Sequence, residues 1–450
     1  MKKSDQTRKK LIELGAENLA DHFLRLAKHS PEVAEAIERT ITPPSKSLLD
    51  FKKKLRSMTK GKRFFSARES RYVAGDLTNL LEEVKRGATS AEVGVDCLIE
   101  FYKSDNLIFE RCDDSNGWIG DVYRFIAVDI FVEFAQKYSN KDALVDMLAD
   151  LFAEDDYGIR IHLIKNAKIF LPKPEMRTLA NRFWDRALLE VNDSFEKRHW
   201  LYGVCSLAEQ LQDAGLYEKA CRQMRPELSS STHKDIAQVY LACDDPETAL
   251  VWMNRIDSTE QFQIDEREKL LLDIYRKLGK LDEEERLLWS LFCRNRSLSS
   301  LNALLEFIGK EQREQVLREE YEYIINAPFS TAEAQFLLDT QQIEAADTYI
   351  LTNYEQLDGR FYTYLLPLTE GMEKHKKYLS ASMIYRALIE SILQRVQSKY
   401  YHHAVRYLRK LEVLAPKIQD WAQAQPHGEY FEEIKENHRL KKSLWRKYNE

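Results

Sequence analysis

The segment 110–117 holds residue types that could bind a divalent cation or a polar ligand. Glu110, Asp113 and Asp114 supply carboxylates, and Cys112 adds a thiol within the same short stretch. A calcium-binding loop with Gly117 at its sixth position is excluded. Its first and twelfth positions would be Cys112 and Tyr123, where carboxylates are required. The structural alternative is a turn at the Asn-Gly pair, followed by a helix that an Asp or Ser side chain caps.

A second polar cluster lies at 155–162 and contains Asp156, Arg160 and His162. On a helix, Arg160 would pair with Asp156 one turn away, and acidic residues in the first turn would suit the helix dipole. If this cluster packed against 110–117, the two segments would form a small acidic pocket with a histidine and an arginine. The hypothesis therefore predicts that the two segments are neighbours in the folded chain.

The chain contains none of the zincin, nucleophile-elbow, phosphate-loop or dinucleotide-binding motifs. We therefore expect no catalytic residue and no cofactor, although an enzyme assembled from the two polar clusters stays open. The six cysteines are dispersed and show no zinc-ligand spacing. His402 and His403 are adjacent, so on a helix they cannot chelate one metal together. These patterns predict no metal site and reduced, mostly buried thiols.

The most charged part of the chain is the basic segment 46–71, which holds ten Lys and Arg residues against Asp50 and Glu69. Such a segment could contact the phosphates of nucleic acid, and Phe64 and Phe65 could stack on bases. The alternative is a solvated helix face, or a patch that docks on an acidic partner or on the acidic remainder of the chain. The candidate phosphate-binding residues are Lys52, Lys53, Lys54, Arg56, Lys60, Lys62, Arg63 and Arg68.

Composition limits the fold and the compartment. Hydrophobic residues make up 44% of the chain and charged residues 31%, which is typical of neither a disordered tail nor a membrane protein. Only 15 Gly and 11 Pro residues occur among 450, so few residues are suited to hairpin turns and an antiparallel sandwich or barrel is disfavoured. The charged N-terminus shows no apolar signal region. We therefore expect a cytoplasmic protein that does not contact a membrane.

Apolar residues recur at three- and four-residue steps through nearly every segment, which predicts an all-α protein. Residues 1–190 are predicted to form a helical bundle that carries the basic segment. Residues 191–450 are predicted to form a degenerate tetratricopeptide-like α-solenoid, with pattern matches that begin at 208, 237, 272 and 334 and a partial match at 404. The small residues of the second helix that would let paired helices approach are Ala220, Ala249 and Ala346. Ala208, Ala237 and Ala334 belong to the first-helix part of the same pattern.

Five segments have amino-acid sequences that are more specific than a generic helical pattern: 11–27, 56–77, 107–117, 157–164 and 400–421. Together they resemble a family of uncharacterised bacterial helical proteins that is classed as a domain of unknown function. The resemblance spans nearly the whole chain, and 107–117 and 400–421 are its most specific parts. It implies a fold and no activity.

The segment 400–421, together with 427–431 and 438–445, also resembles the helical regions that accompany SWIM-type zinc fingers in other bacterial proteins. The chain lacks the CxC and CxH ligand pairs of such a finger. A zinc-dependent role in nucleic-acid binding therefore does not carry over.

These observations favour a non-catalytic helical-repeat scaffold that binds one or more protein partners, because helical arrays present an extended concave surface. The alternative is a nucleic-acid-associated accessory protein that binds the phosphate backbone through 46–71. The oligomeric state stays open at this point.

Overall fold

The described part of the chain is α-helical. Between its helices it contains one isolated parallel bridge, which joins Phe65 to Cys112. The predicted all-α class is confirmed for these residues. The computed structural model describes residues 2–31, 33–34, 37, 41, 43–61, 63–225, 227–257, 259–260, 262–395 and 397–450.

The chain divides into two compact units, Met1–Ile274 and Tyr275–Glu450. The division falls within a helix, Ile264–Leu278, which is α16 in the numbering used below. The division predicted after residue 190 lies inside the first unit and stays a prediction about the chain's organisation.

The helices of the first unit are mostly 10 to 20 residues long, with shorter pieces around the polar clusters. A π-helical turn, Val122–Ile126, joins the helices Trp118–Asp121 and Ala127–Lys137. The helices before α16 are α1 (Lys2–Glu13), α2 (Ala16–Ala27), α3 (Pro44–Lys60), α4 (Ala67–Gly87), α5 (Ala91–Tyr102), α6 (Asp105–Phe109), α7 (Trp118–Asp121), α8 (Ala127–Lys137), α9 (Lys141–Ala153), α10 (Ile161–Lys165), α11 (Lys173–Leu189), α12 (Phe195–Leu211), α13 (Ala214–Met224), α14 (Ser230–Ala242) and α15 (Pro246–Met253).

The second unit is also built from consecutive helices, several of them joined by short turns. Its helices after α16 are α17 (Leu281–Arg294), α18 (Leu298–Ile308), α19 (Arg313–Asn326), α20 (Thr331–Asp339), α21 (Ile343–Thr352), α22 (Tyr362–Lys374), α23 (Tyr378–Gln394), α24 (Tyr401–Leu414), α25 (His427–Asn437) and α26 (Lys442–Asn449).

Local sequence explains where many of these helices begin. A Ser, Asn or Asp immediately before the helix accepts a hydrogen bond from a backbone N–H of the first turn, which would otherwise lack a partner. Asp213 caps α13 by accepting from Leu216 N at 2.9 Å, and Asp245 caps α15 by accepting from Thr248 N at the same distance. Ser90, Asn140 and Ser194 act in the same way.

The small residues of the predicted repeat lie where helices meet. All six alanines, at positions 208, 220, 237, 249, 334 and 346, are fully buried. Helix α12 packs against α13, α14 against α15, and α20 against α21, so these alanines lie on helices that pack against their sequence neighbours. This packing shows helix pairs in the first and second units, each considered by itself.

No helix within the described ranges is both long and apolar enough to cross a bilayer.

Candidate functional site

The second polar cluster is organised around a buried ion pair whose acidic partner lies outside the cluster. Arg160 donates two hydrogen bonds to the carboxylate of Asp105 at the start of α6, from Nε to Oδ2 at 2.7 Å and from Nη2 to Oδ1 at 2.6 Å. The third nitrogen, Nη1, donates to the carbonyl of Leu151 at 2.8 Å. Arg160 is 2% exposed and Asp105 is 0% exposed. The pair thus joins α6 to the segment before α10 in the interior.

Asp155 holds the backbone that presents Arg160. Its Oδ1 accepts hydrogen bonds from the N–H groups of Ile159 and Arg160 at 2.8 and 3.0 Å, and its Oδ2 accepts from Ile161 N at 2.9 Å. Three backbone donors at the start of α10 are therefore satisfied by one buried carboxylate. The residues before Ile161 form a turn instead of the predicted helix, so Arg160 reaches Asp105 and not Asp156.

Burial and the ion pair shift the pKa values of Asp105 and Arg160 in opposite directions. Burial raises the pKa of Asp105, although the hydrogen bonds and charge of Arg160 oppose that rise. Burial alone would lower the pKa of Arg160, but the hydrogen bonds and charge of Asp105 bring it above its ordinary value. Burial also lowers the pKa of His162, with a contribution from Lys165, so its imidazole is neutral at neutral pH.

Only part of the predicted acidic pocket comes together. Asn106 donates from Nδ2 to Asp156 Oδ2 at 2.5 Å, and the ring of Phe109 stacks on Tyr157 with centroids 4.6 Å apart. Glu110, one residue after that stack, lies close enough to help raise the pKa of Tyr157, for which burial is the main cause. The segments are thus neighbours at this point, but Asp113 and Asp114 are engaged elsewhere.

Asp114 caps the helix that follows the 110–117 loop. Its two carboxylate oxygens accept from Ile119 N and Gly120 N, each at 2.8 Å, at the start of α7. Asp113 accepts from Ser115 N at 3.0 Å within the turn. This is the capped turn that the sequence offered as the structural alternative.

Cys112 is buried and forms the bridge to Phe65, and burial raises the pKa of its thiol. A thiol in this state is a poor nucleophile at neutral pH, because the thiolate is the reactive form. In the parts of the chain described, no group of three or more His, Cys, Asp or Glu residues is placed to hold a metal ion.

We predict that Asp114→Ala lowers the free energy of unfolding by about 1–2 kcal/mol, because two N–H groups of the first turn of α7 lose their acceptor. Asp113→Ala is the matched control, since Asp113 is exposed and accepts a single hydrogen bond inside the loop. Urea denaturation followed by circular dichroism measures both. Equal midpoints for the two variants would contradict the assigned role of Asp114.

The 110–117 loop also fixes the basic segment in place. Phe65 N donates to Arg111 O at 2.8 Å, and Asp113 N donates to Phe65 O at 2.9 Å. The Arg111 guanidinium donates to the carbonyls of Met58 and Arg63, which close the connection between α3 and α4. The two features that the sequence presented separately, the basic segment and the 110–117 loop, are therefore one structural unit.

A basic and aromatic surface results on this connection. Arg68, Arg71 and Tyr72 share one exposed face of α4 at i, i+3 and i+4 spacing. The Arg71 guanidinium lies over the ring of Trp118, 5.6 Å from its centroid. Tyr72 and Trp118 are 74% and 46% exposed, and Phe64 is 62% exposed. We call the following set the basic–aromatic surface: Lys53, Lys54, Arg56, Lys60, Arg63, Phe64, Arg68, Arg71, Tyr72 and Trp118.

Most of the predicted phosphate-binding residues have free access to solvent. Lys52 is half-buried and pairs with Glu100 at 3.4 Å, and Arg63 is exposed but paired with Glu69. Lys62 lies outside the described residues. The other exposed predicted residues are Lys53, Lys54, Arg56, Lys60 and Arg68.

Sequence reasoning left Arg71, Tyr72 and Trp118 out of the candidate site. The spacing from Arg68 along one predicted helix would have identified Arg71 and Tyr72. No local signal identifies Trp118, because it reaches the surface through the folding of the 110–117 loop against α4.

A family model described as "Family of unknown function (DUF6880)" matches residues 1–447. No curated protein and no solved structure matches the chain.

Proposed function

This chain belongs to DUF6880, a family of unknown function, and we propose that it is a non-catalytic binding protein whose first unit binds nucleic acid. The observation that carries the proposal is the basic–aromatic surface, which combines exposed cations of α3 and α4 with exposed rings and holds the Arg71 guanidinium over Trp118. Cations neutralise phosphates, and rings stack on unpaired bases without regard to their identity. The proposed ligand is therefore a single-stranded nucleic acid, bound without sequence preference.

The charges of the surface support this ligand. Arg56 and Lys60 on α3, and Arg68 and Arg71 on α4, are all exposed. Among the acidic residues nearby, Glu69 is engaged with Arg63 and the backbone of Ser66, and Asp114 is engaged in its cap. The guanidinium of Arg71 is already held over an aromatic ring, which favours a planar base next to a phosphate.

The test is fluorescence anisotropy with labelled single-stranded DNA and RNA of mixed sequence, at two salt concentrations. We expect Arg56→Glu/Arg68→Glu/Arg71→Glu to weaken binding and to reduce the slope of log affinity against log salt by about 2, since three phosphate contacts are lost. The control is Lys137→Glu/Lys168→Glu/Arg186→Glu, which changes three exposed residues elsewhere in the first unit by the same net charge. Equal losses of nucleic-acid affinity in the two triple variants would overturn the proposal.

Stacking is tested separately. Trp118→Ala is expected to weaken single-strand binding about fivefold or more and to leave the salt slope unchanged, because it removes a ring and no charge. A salt slope that changes with Trp118→Ala, or an affinity that does not, would contradict stacking at this position.

A second candidate function is a helical-repeat scaffold in the cytoplasm that binds a protein partner. The buried alanines of α12–α15 and α20–α21 are consistent with a tetratricopeptide-like array. Leu188, Leu189, Val191 and Phe195, around the connection from α11 to α12, are all more than half exposed. Such apolar groups favour a protein contact. Equal capture of the same proteins by the wild-type chain and by Leu189→Asp/Val191→Asp would remove this surface from consideration.

A further inference from the structure

The second unit contains a cavity of about 220 Å³ between α22, α23 and α24. Leu388 forms part of its buried interior, and Tyr407 is buried beside it. Tyr362 and Tyr400 line it with partly exposed rings. The lining is thus mostly apolar and aromatic.

The position of one wall depends on Gly359. A Cβ atom at this position would collide with the carbonyl of Ala387 and with the side chain of Ser391, both on α23. Glycine therefore allows the 3₁₀ turn Gly359–Phe361 to lie directly against α23. The close approach brings the turn and Ser391 to the same side of the cavity.

The charged groups that line the cavity are all basic. Arg395 and Arg406 contribute guanidinium groups, and no carboxylate belongs to the described lining. Arg406 Nη2 donates to the hydroxyl of Tyr407 at 3.1 Å. A cationic ligand is therefore disfavoured, whereas a carboxylate or phosphate would meet two permanent positive charges.

His403 supplies a further polar group to the lining. Its ring is roughly parallel to that of Tyr407, with centroids 6.4 Å apart. Its Nδ1 atom is buried and has no hydrogen-bond partner among the described residues. A buried polar atom without a partner is unfavourable, so a ligand that reached it would be stabilised.

We infer that this cavity binds a small aromatic anion: one ring placed among the tyrosines and a carboxylate or phosphate placed at Arg395 and Arg406. The size agrees with this ligand class, because an apolar cavity of about 150 Å³ is sufficient for benzene. The additional volume accommodates one anionic substituent. This site is separate from the basic–aromatic surface and does not depend on the function proposed for it.

The test is isothermal titration calorimetry of the full chain with benzoate, phenyl phosphate, benzyl alcohol and inorganic phosphate. We expect one of the aromatic anions to bind at least about tenfold more tightly than neutral benzyl alcohol, because charge-assisted hydrogen bonds are added. Preference for benzoate or for phenyl phosphate identifies the anionic group. Phenyl phosphate should also bind more tightly than inorganic phosphate, which has no ring.

Arg395→Gln should remove most of the preference for the anion and leave the weak binding of benzyl alcohol unchanged. Ser391→Phe should fill the cavity and abolish the binding of every aromatic probe. Arg360→Gln is the matched control, because Arg360 is exposed and paired with Asp358. Circular dichroism of each variant checks whether it is folded.

The inference would be overturned if neither anion bound or if benzyl alcohol bound as tightly as the anions. It would also be overturned if Arg360→Gln and Arg395→Gln lost binding equally. Equal binding of inorganic phosphate and phenyl phosphate would also overturn it, since the ring would then contribute nothing.

Discussion

Asp105→Ala is expected to lower the free energy of unfolding by about 3–5 kcal/mol, because it leaves the buried guanidinium of Arg160 without its carboxylate. Both partners are almost completely buried, and two of the five guanidinium N–H groups donate to Asp105. The loss is largely the penalty of an unpaired buried charge. It exceeds what an exposed ion pair contributes, which is at most about 1 kcal/mol.

The matched control is Asp146→Ala, which removes an ion pair with Arg182 in which both side chains are about half exposed. Urea denaturation gives the overall change, and amide hydrogen exchange in α6 and α10 locates it. A loss for Asp105→Ala no larger than that for Asp146→Ala would contradict the assigned role of the buried pair.

A double variant separates the unpaired charge from the loss of packing. Asp105→Leu/Arg160→Met replaces both charged groups with apolar ones, so neither member of the pair remains as an unpaired buried charge. Asp155 keeps its three backbone donors in this variant. We expect it to be clearly more stable than Asp105→Ala. If the double variant were less stable than Asp105→Ala, packing and hydrogen bonds would account for the loss instead of charge.

The sequence predicted those features of the fold that depend on contacts between residues close together in the chain. Helical periodicity predicted the fold class, and the Asn-Gly turn with a neighbouring Asp predicted the cap that Asp114 makes on α7. The exposure of Lys53 and Arg68 could also be predicted, since charged side chains without a buried partner stay in solvent. Each of these features is determined within a few residues.

The remaining features depend on residues that are distant in sequence. Arg160 was expected to pair with Asp156, four residues away, but its partner Asp105 is 55 residues away. The preference for a short helical spacing is worth only about 0.2–0.5 kcal/mol, so a bidentate pair in the interior readily overrides it. Trp118 joins the basic–aromatic surface for a similar reason, because long-range hydrogen bonds such as that from Ser70 to Asp113 O bring it to α4.

In the second unit, Arg296→Ala is expected to lower the free energy of unfolding by about 3–5 kcal/mol at neutral pH. The Arg296 side chain is 7% exposed and forms ion pairs with Glu320 on α19 and with Glu333 on α20, the latter at 3.1 Å. Its guanidinium also lies 4.6 Å from the ring centroid of Tyr323. Without this cation, two poorly solvated carboxylates face each other with no positive charge between them.

The loss of stability in Arg296→Ala should depend on pH. Burial already raises the pKa of Glu333 above its ordinary value while Arg296 is present. Removal of Arg296 raises that pKa further, so the folded variant binds a proton more tightly than the unfolded chain does. The penalty is then largest at neutral pH and above. It decreases as the pH falls through the pKa of Glu333 in the variant toward the lower, but still raised, pKa of Glu333 in the wild type.

Urea denaturation of wild type and Arg296→Ala at neutral and mildly acidic pH, with hydrogen exchange in α19 and α20, tests this expectation. Arg296→Ala/Glu333→Gln should recover part of the stability and lose most of the pH dependence, because one carboxylate is replaced by an amide that carries no charge. Arg360→Ala is the control, since that arginine is exposed and its partner Asp358 can be solvated. A penalty for Arg296→Ala that stayed constant or grew as the pH fell would contradict carboxylate repulsion as the main cause of the loss of stability.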